Sequence, residues 1–182
     1  MNYFVNVEDL MNLERQGKWE AARELLSERW KEERQNSKYL IRLLGECWHV
    51  LSLWDCCINT ENLSFQAFQN TLIECTEFGL QNFKNDPYFL CMAGYMISTL
   101  PHLFYHNDTG NSYAEWEQKG IVMLFEASEL APHDEVAKVL YLGYTSKFQQ
   151  YNDAKKSLSL KLSSLFPEET ELETYFKSIL SI

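Results

Sequence analysis

Hydrophobic residues recur along this chain at spacings of three and four, the period of an α-helix with one buried face. In the stretch GKWEAARELL and its continuation, Trp19, Ala22 and Trp30 fall on one such face. The run from Leu40 to Trp54 is apolar around most of its helical circumference. Asn-Gly and Asp-Gly hairpin turns are absent from the sequence, as is any sustained alternation of apolar and polar residues. The pattern therefore predicts an all-α fold.

Glycine, proline and capping residues divide the pattern into about nine predicted helices. Gly17 ends the first helix, Ser37 is the expected N-cap of the third, and Pro87 is expected to begin the fifth. The predicted segments are 7–16, a second helix carrying 19–30, a third from Ser37, 64–84, a fifth from Pro87, 113–130, a seventh with apolar positions from 136 to 151, 152–165, and a last helix from Pro167.

Charge is unevenly distributed along the chain. The net charge is −10, and residues 43–118 contain nine acidic residues but a single base, Lys84. Such a field repels nucleic acid and anionic membranes and attracts a basic protein, although an acidic surface that serves only solubility is the alternative. Eight bases between Arg15 and Arg42 alternate with acids at helical spacing, which predicts an exposed, salt-bridged face rather than a nucleic-acid site.

Other features of the sequence indicate a cytoplasmic protein. The five cysteines are odd in number and lie mostly among apolar residues, which is typical of reduced packing cysteines. No apolar run approaches the roughly 18 residues that would span a bilayer. The first residues, MNYFVNVEDL, lack the basic and apolar regions of a secretory signal.

Candidate catalytic and metal-binding groups are few. His102 and His106 would share a helix face and bind a metal with Asp108 or His133, but the zinc-protease glutamate is missing. The other candidates are a cluster of Cys47, His49, Cys56 and Cys57 and the carboxylate pair Glu74 and Glu77. We interpret the cysteines as packing residues and the carboxylates as a solvated helix face. We therefore expect no catalytic residue, cofactor or metal.

Several phrases resemble the tetratricopeptide repeat family, whose units are helix pairs of about 34 residues. The residues that carry the resemblance are Gly17, Trp19, Ala22 and Leu26; Leu44, Gly45 and Trp48; Ala93 and Gly94; Gly120, Leu124, Ala127 and Pro132; and Leu142 and Gly143. Small residues at such positions let paired helices approach closely. The resemblance implies one domain over residues 1–182, a right-handed array of antiparallel helix pairs. An irregular helical bundle is the alternative.

In size, acidity and helical build the chain is similar to immunity proteins of bacterial toxin systems, including contact-dependent growth inhibition. This resemblance implies a protein that neutralises a basic toxin, such as a nuclease, by covering its active site with an acidic surface. The expected contact residues flank the irregular segment 101–113, because loops tend to carry recognition. They are Glu74, Glu77, Tyr105, Asp108, Tyr113, Glu115, Trp116 and Glu117.

Two other classes of function remain open at this point. A tetratricopeptide-type chaperone or adaptor would hold a partner peptide in an inner groove, but the inner-helix candidates 40–51 and 89–100 are strongly apolar. A hydrolase or metal enzyme on a helical scaffold would need the histidines to converge.

Overall fold

The computed structural model describes residues 2–56, 58–106 and 112–182. Within these ranges the chain forms ten α-helices and one 3-10 turn, with no β-strand. The helices are α1 (Leu10–Arg15), α2 (Trp19–Glu32), α3 (Ser37–Ser52), α4 (Phe65–Asn82), α5 (Pro87–Thr99), α6 (Ser112–Leu130), α7 (Glu135–Leu142), α8 (Phe148–Ser159), α9 (Leu162–Leu165) and α10 (Glu171–Leu180), and the 3-10 turn is Pro101–Phe104. The predicted all-α fold is confirmed.

Side-chain caps fix where several helices begin. Ser64 accepts a hydrogen bond from the backbone N–H of Ala67 and caps α4. Asp86 accepts from the N–H of Tyr88 at 2.9 Å, and Pro87 occupies the first turn of α5, where its missing N–H is tolerated. The predicted starts of the fourth and fifth helices agree with these caps.

Four predicted boundaries were wrong. The third helix is capped by Asn36 rather than Ser37. The seventh does not continue to residue 151, because the N–H of Thr145 turns back to the carbonyl of Leu142 at 3.0 Å and the chain starts again as α8. The eighth is divided into α8 and α9, which raises the count to ten. The last begins after Thr170, whose hydroxyl accepts from the N–H of Glu173.

Consecutive helices pack against each other from α1 to α4 and from α5 to α8, and α3 and α7 also contact α5. The segment before α1 and helix α10 fold back onto this arrangement, where Phe4 packs against Phe176 with ring centroids 5.6 Å apart. No helix of the described residues is long and apolar enough to cross a membrane. The right-handed sense of the array stays a prediction.

Helices α5 and α6 approach most closely at two glycines. A Cβ atom built on Gly120 would lie 2.5 Å from the backbone nitrogen of Ser98 and 2.6 Å from the carbonyl oxygen of Gly94. A Cβ atom on Gly94 would lie 2.9 Å from the carbonyl oxygen of Gly120. Because both obstructions are backbone atoms, the helices would have to separate to admit a methyl group. This close approach is the role that the sequence predicted for these small residues.

A buried ion network joins α1, α3 and α10. Arg42 of α3 pairs with Glu14 of α1 and, at 3.2 Å between Nη1 and Oε2, with Glu46 of α3. Glu14 Oε2 also accepts a 2.8 Å hydrogen bond from the N–H of Glu171 at the start of α10. Each of the three network side chains is at most 3% exposed as a residue. Arg42 therefore does not belong to an exposed salt-bridged face, and that part of the prediction was wrong.

The network contains two carboxylates for one guanidinium. Burial raises the pKa of Glu46 to about 8, with the neighbouring Glu14 carboxylate adding to the effect and Arg42 opposing it. Glu46 therefore takes up a proton more readily than an exposed glutamate does.

The substitution Gly120→Ala tests the close approach of α5 and α6. Although alanine is favoured over glycine in an isolated helix, we expect a loss of about 1–3 kcal/mol of unfolding free energy from the backbone clash. Gly143→Ala is the control, because the nearest atom to a Cβ atom there lies at 3.3 Å. Urea unfolding of both variants measures the difference, and equal stability would contradict the packing.

The substitution Arg42→Met tests the buried network. It removes the cation that lies between two buried acidic side chains, Glu14 and Glu46, so we expect a loss of about 3–5 kcal/mol at pH 7. Arg15→Met is the matched control, since Arg15 pairs with Glu169 through side chains that are 53% and 78% exposed. An exposed pair contributes about 0–1 kcal/mol. Similar losses in the two variants would contradict a special role for the network.

Candidate functional site

The 3-10 turn lies between α4 and α6 and contacts both. Its side chains Leu103 and Phe104 are buried, which anchors the turn in the core. From α4, the amide nitrogen of Gln69 donates to the carbonyl oxygens of Leu103 at 3.4 Å and Tyr105 at 3.3 Å. The turn therefore fixes the outer faces of α4 and α6 on either side of it.

A stack of side chains joins the turn to α6. The rings of Phe104 and Trp116 stack with centroids 6.1 Å apart, and the ammonium of Lys119 lies 4.4 Å from the centroid of Trp116. Burial lowers the pKa of Lys119, and the carboxylate of Glu77 on α4 opposes this shift. Trp116 and Lys119 thus link the turn, α6 and the acidic side of α4.

The predicted contact residues fall into two groups. Glu74, Glu77, Tyr113 and Glu115 are exposed, whereas Tyr105, Trp116 and Glu117 are half-buried. We use the name acidic face for the exposed and half-buried contact residues Glu74, Glu77, Tyr105, Tyr113, Glu115 and Glu117. Glu115 and Glu117 are two residues apart on α6 and therefore point to different sides of that helix. Trp116 stands apart from this set because its ring is occupied by Phe104 and Lys119. Asp108 lies outside the described residues.

Part of the charge of the acidic face is balanced by neighbouring cations. A guanidinium nitrogen of Arg34 lies 3.6 Å from Glu74 Oε1, with 40% and 62% of the two side chains exposed. Glu77 acts on Lys119 of α6, as its effect on the lysine pKa indicates. Two of the nine acids of residues 43–118 also face inward: Glu46 is buried, and Asp86 caps α5. The outward field is therefore weaker than the sequence count suggests.

The structure adds residues that the sequence analysis did not select. On α6, Glu126 and Glu129 are further exposed acids, and Val122 and Phe125 are exposed at 42% and 45%. The signal was present, because these residues lie opposite the buried positions of α6 when the segment is drawn as a helix. They were not selected because the contact residues were chosen to flank the irregular segment 101–113.

The candidate metal ligands do not converge. The 3-10 turn ends at Phe104, so His102 and His106 do not share a helix, and His106 Nδ1 lies 3.3 Å from the side-chain amide nitrogen of Gln66. Among the residues that the structure describes, no three His, Cys, Asp or Glu side chains are grouped to hold a metal ion. The thiols of Cys47, Cys75 and Cys91 are buried, and their pKa values are raised by burial, as for packing cysteines.

Helix α10 covers the faces of α3 and α5 that were the inner-helix candidates. The ring of Tyr175 packs edge-on against Trp48 of α3 with centroids 5.3 Å apart. The hydroxyl groups of Tyr175 and Tyr95 of α5 are hydrogen-bonded at 2.6 Å. Leu172 lies so close to Gly45 that an added Cβ atom would be 2.5 Å from its side chain. This face is therefore filled by the chain itself.

His49 of α3 is buried under α10 without a hydrogen bond. Its ring packs between Trp19 and Tyr175, with centroids at 6.3 and 6.1 Å. Neither ring nitrogen has a hydrogen-bond partner among the described residues. Burial, with a smaller effect of Arg42, lowers the pKa of His49 to about 4. The imidazole is thus neutral at physiological pH and unsuited to proton transfer at neutral pH.

A cleft of about 410 Å³ opens between the segment before α1, the α6–α7 connection and α9. Its carboxylates are occupied: Asp134 accepts from the hydroxyl of Tyr3 and caps α7, and Glu135 pairs with Lys161 at 2.7 Å. The cleft therefore offers apolar walls rather than a catalytic group.

Comparison of the chain with protein-family models, with curated proteins and with solved structures gave no match. What the chain does is therefore inferred from its own residues and geometry.

The substitution His49→Phe tests the buried neutral imidazole. Its pKa of about 4 in the folded protein lies below the ordinary histidine value of 6.5, so the unfolded chain binds a proton first as the pH falls. The contribution of neutral His49 is thus intact above pH 6.5 and is lost between 6.5 and 4, by about 3 kcal/mol. The variant lacks this titrating group, so its unfolding free energy should rise relative to that of the wild type by about 3 kcal/mol as the pH falls through this range. Urea unfolding at pH 7, 5.5 and 4 measures it, and a constant difference would contradict the burial of an uncharged ring.

Proposed function

We propose that this chain is a protein-binding inhibitor that recognises a basic partner through the acidic face. The observation that supports the proposal is that Glu74 and Glu77 of α4 and Glu115 of α6 are exposed on two helices that both contact the 3-10 turn. Exposed carboxylates on a rigid framework attract a basic protein and fix its orientation at little entropic cost. Tyr113, which is 49% exposed, adds an aromatic contact of the kind that is enriched in interfaces.

The specific form of this proposal is neutralisation of a toxin. A nuclease active site is basic because it binds phosphate, so an acidic protein that covers it excludes the nucleic acid both sterically and electrostatically. The support for this form is the acidic face, the net charge of −10 and the resemblance in size and build to immunity proteins.

The alternative, a chaperone or adaptor that holds a peptide along its inner helices, has less support. A peptide on α3 and α5 would have to displace α10, which buries Leu172, Phe176 and Leu180. We therefore place the binding surface on the outside of the helices.

The first experiment reverses charge on the acidic face. The variant Glu74→Lys, Glu77→Lys, Glu115→Lys and Glu117→Lys should bind its partner at least 100-fold more weakly, because each pair of opposite charges becomes a repulsive one. The partner is first captured from the source organism with the wild-type chain and then purified for titration. Wild-type affinity should fall steeply between about 50 and 500 mM salt, because the Debye length shortens over this range from more than about 10 Å to a few ångström.

The control variant carries the same change in net charge at exposed acids elsewhere on the molecule. Glu32, Glu33, Asp153 and Glu169 are exposed and lie outside the acidic face. Changing these four to lysine should weaken binding by less than tenfold. Equal loss in both variants would reduce the effect to net charge and remove the acidic face from the proposal. If the captured partner is a nuclease, one equivalent of the chain should suppress its cleavage of nucleic acid, and retained cleavage in the complex would contradict inhibition.

A further inference from the structure

Two carboxyl groups of the buried ion network face each other. Glu14 extends from α1 and Glu46 from α3, and the guanidinium of Arg42 pairs with both. Each of the three residues is at most 3% exposed, so bulk water has almost no access to their charges. The network is separate from the acidic face, whose carboxylates lie on α4 and α6.

The guanidinium balances only one of these two carboxylates. Arginine stays protonated in proteins, so the positive charge of Arg42 is fixed. If both carboxyl groups were ionised, one buried negative charge would be left without a counterion. Such a charge is very unfavourable in a protein interior, and two carboxylates that share one site therefore retain a proton between them.

Glu46 is the less well supported of the two groups as an anion. Neither of its oxygens accepts a hydrogen bond within the part of the chain that the structure describes. Its contact with Arg42 is an ion pair of 3.2 Å rather than a hydrogen bond. Glu14, in contrast, accepts from Arg42 with one oxygen and from the backbone N–H of Glu171 at 2.8 Å with the other. The negative charge is therefore better placed on Glu14, and the proton on Glu46.

A proton on Glu46 also supplies a missing hydrogen bond. Two ionised carboxylates have no donor between them, whereas a carboxylic acid donates to a neighbouring carboxylate. Burial, the charge of Glu14 and this hydrogen bond to Glu14 raise the pKa of Glu46 to about 8, with Arg42 opposing them. A hydrogen bond from an acid to an ionised partner is stronger than one between neutral groups. The proton therefore ties α1 to α3.

The surrounding ionisable groups come from α1, α2, α3 and α10. Those that face Glu46 or its partner Arg42 are Glu14 of α1, Cys47 and His49 of α3, and Glu171 and Glu173 of α10. On α2, Glu20 and Arg23 lie near Cys47 and pair with each other, and Lys177 of α10 donates to the backbone carbonyl of Glu168 at 2.9 Å. Burial raises the pKa of the Cys47 thiol and lowers that of His49 to about 4, so both are uncharged at neutral pH. Acidic groups therefore outnumber the single charge of Arg42.

The same contacts join α1 and α10 to α3. The carboxylate of Glu14 meets both the guanidinium of α3 and the first amide of α10. Helix α5 lies among α3, α6 and α7, whereas α10 makes smaller contacts with α3, α8 and α9. Less well packed segments open locally before the core unfolds. When Glu46 loses its proton, its charge repels that of Glu14, and movement of α1 away from α3 takes the acceptor of the Glu171 amide with it.

We infer that Glu14 and Glu46 share one proton in the folded protein and that this proton is a pH-sensitive latch, which holds α1 and α10 against α3 and releases them when it is lost. The latch does not depend on the proposed function, because it involves none of the residues of the acidic face and is tested without a partner protein.

The latch predicts a folded state that weakens as the pH rises. Folding raises the pKa of Glu46 from 4.5 to about 8, so between these values the folded chain holds a proton that the unfolded chain has released. The contribution of this proton is complete below pH 4.5 and is lost as the pH rises to about 8. Within that window the folding equilibrium constant falls by up to about tenfold per pH unit because of this group.

Urea unfolding of the wild type and of Glu46→Gln between about pH 5.5 and 8.5 tests the shared proton. The glutamine amide supplies a permanent donor to Glu14 and does not titrate. The ratio of the wild-type folding constant to that of the variant should therefore fall by up to about tenfold per pH unit up to about pH 7.5. Glu28→Gln is the control, since Glu28 is exposed on α2 and its ratio should stay constant. A constant ratio for Glu46→Gln would overturn the inference.

The wild-type chain provides a second measurement that does not require the variant to fold. In carbon-13 NMR spectra the side-chain carboxyl carbon of Glu46 should titrate above about pH 6. A midpoint near the ordinary glutamate value of 4.5 would show that no proton is shared.

Native-state hydrogen exchange tests the release of α10. After correction for the intrinsic pH dependence of exchange, the amides of α10 should open more often than global unfolding allows. Their opening should be more than about tenfold more frequent at pH 8.5 than at pH 6.5 in the wild type, and unchanged in Glu46→Gln. Exchange of α10 only through global unfolding, or the same pH dependence in Glu46→Gln, would contradict the latch.

Discussion

The arrangement of the helices depends on the interactions that the buried carboxylate of Glu14 makes. One oxygen pairs with Arg42 of α3, and the other accepts the first N–H of α10 from Glu171. A buried carboxylate is stable only when such partners surround it, so α1, α3 and α10 must be in place together. This requirement fixes α10 against α3, and the aromatic contacts of Tyr175 then close the inner face.

The 3-10 turn contacts α4 and α6 on the outer side of the molecule, and α10 packs against α3 and α5 on the inner side. Gln69 holds the backbone of the turn, and Phe104 orders Trp116 beneath Lys119. Glu74, Glu77 and Glu115 therefore lie on helices rather than on loops. A partner that binds them must compete with Arg34 and Lys119, which favours a densely basic partner over a weakly basic one.

Helix starts and the close approach of two helices were easier to predict from the sequence than the burial and contacts of individual side chains. Ser64 and Pro87 mark helix starts through local chemistry, and Gly120 marks a close approach because no other residue fits there, so these features were predictable. The exposure of Arg42 was predicted wrongly because an arginine four residues before a glutamate has the same spacing on an exposed helix face as in a core. The distinguishing signal was the apolar sequence on both sides of Arg42, YLIRLLGECW. The stacking of Trp116 on Phe104 depends on tertiary packing, which spacing along the chain does not encode.

The separation in sequence between Glu14 and Glu171 has a consequence for how the protein is made. These residues lie 157 positions apart, so Glu14 and Arg42 leave the ribosome long before Glu171. The backbone N–H of Glu171 is the last of the partners that the Glu14 carboxylate acquires. Until α10 has been translated, Trp48 and Tyr95 lack the ring of Tyr175, which packs against both in the folded protein. The nascent chain therefore has a period in which it is vulnerable to aggregation, and its length is set by the speed of translation rather than by the strength of the final contacts.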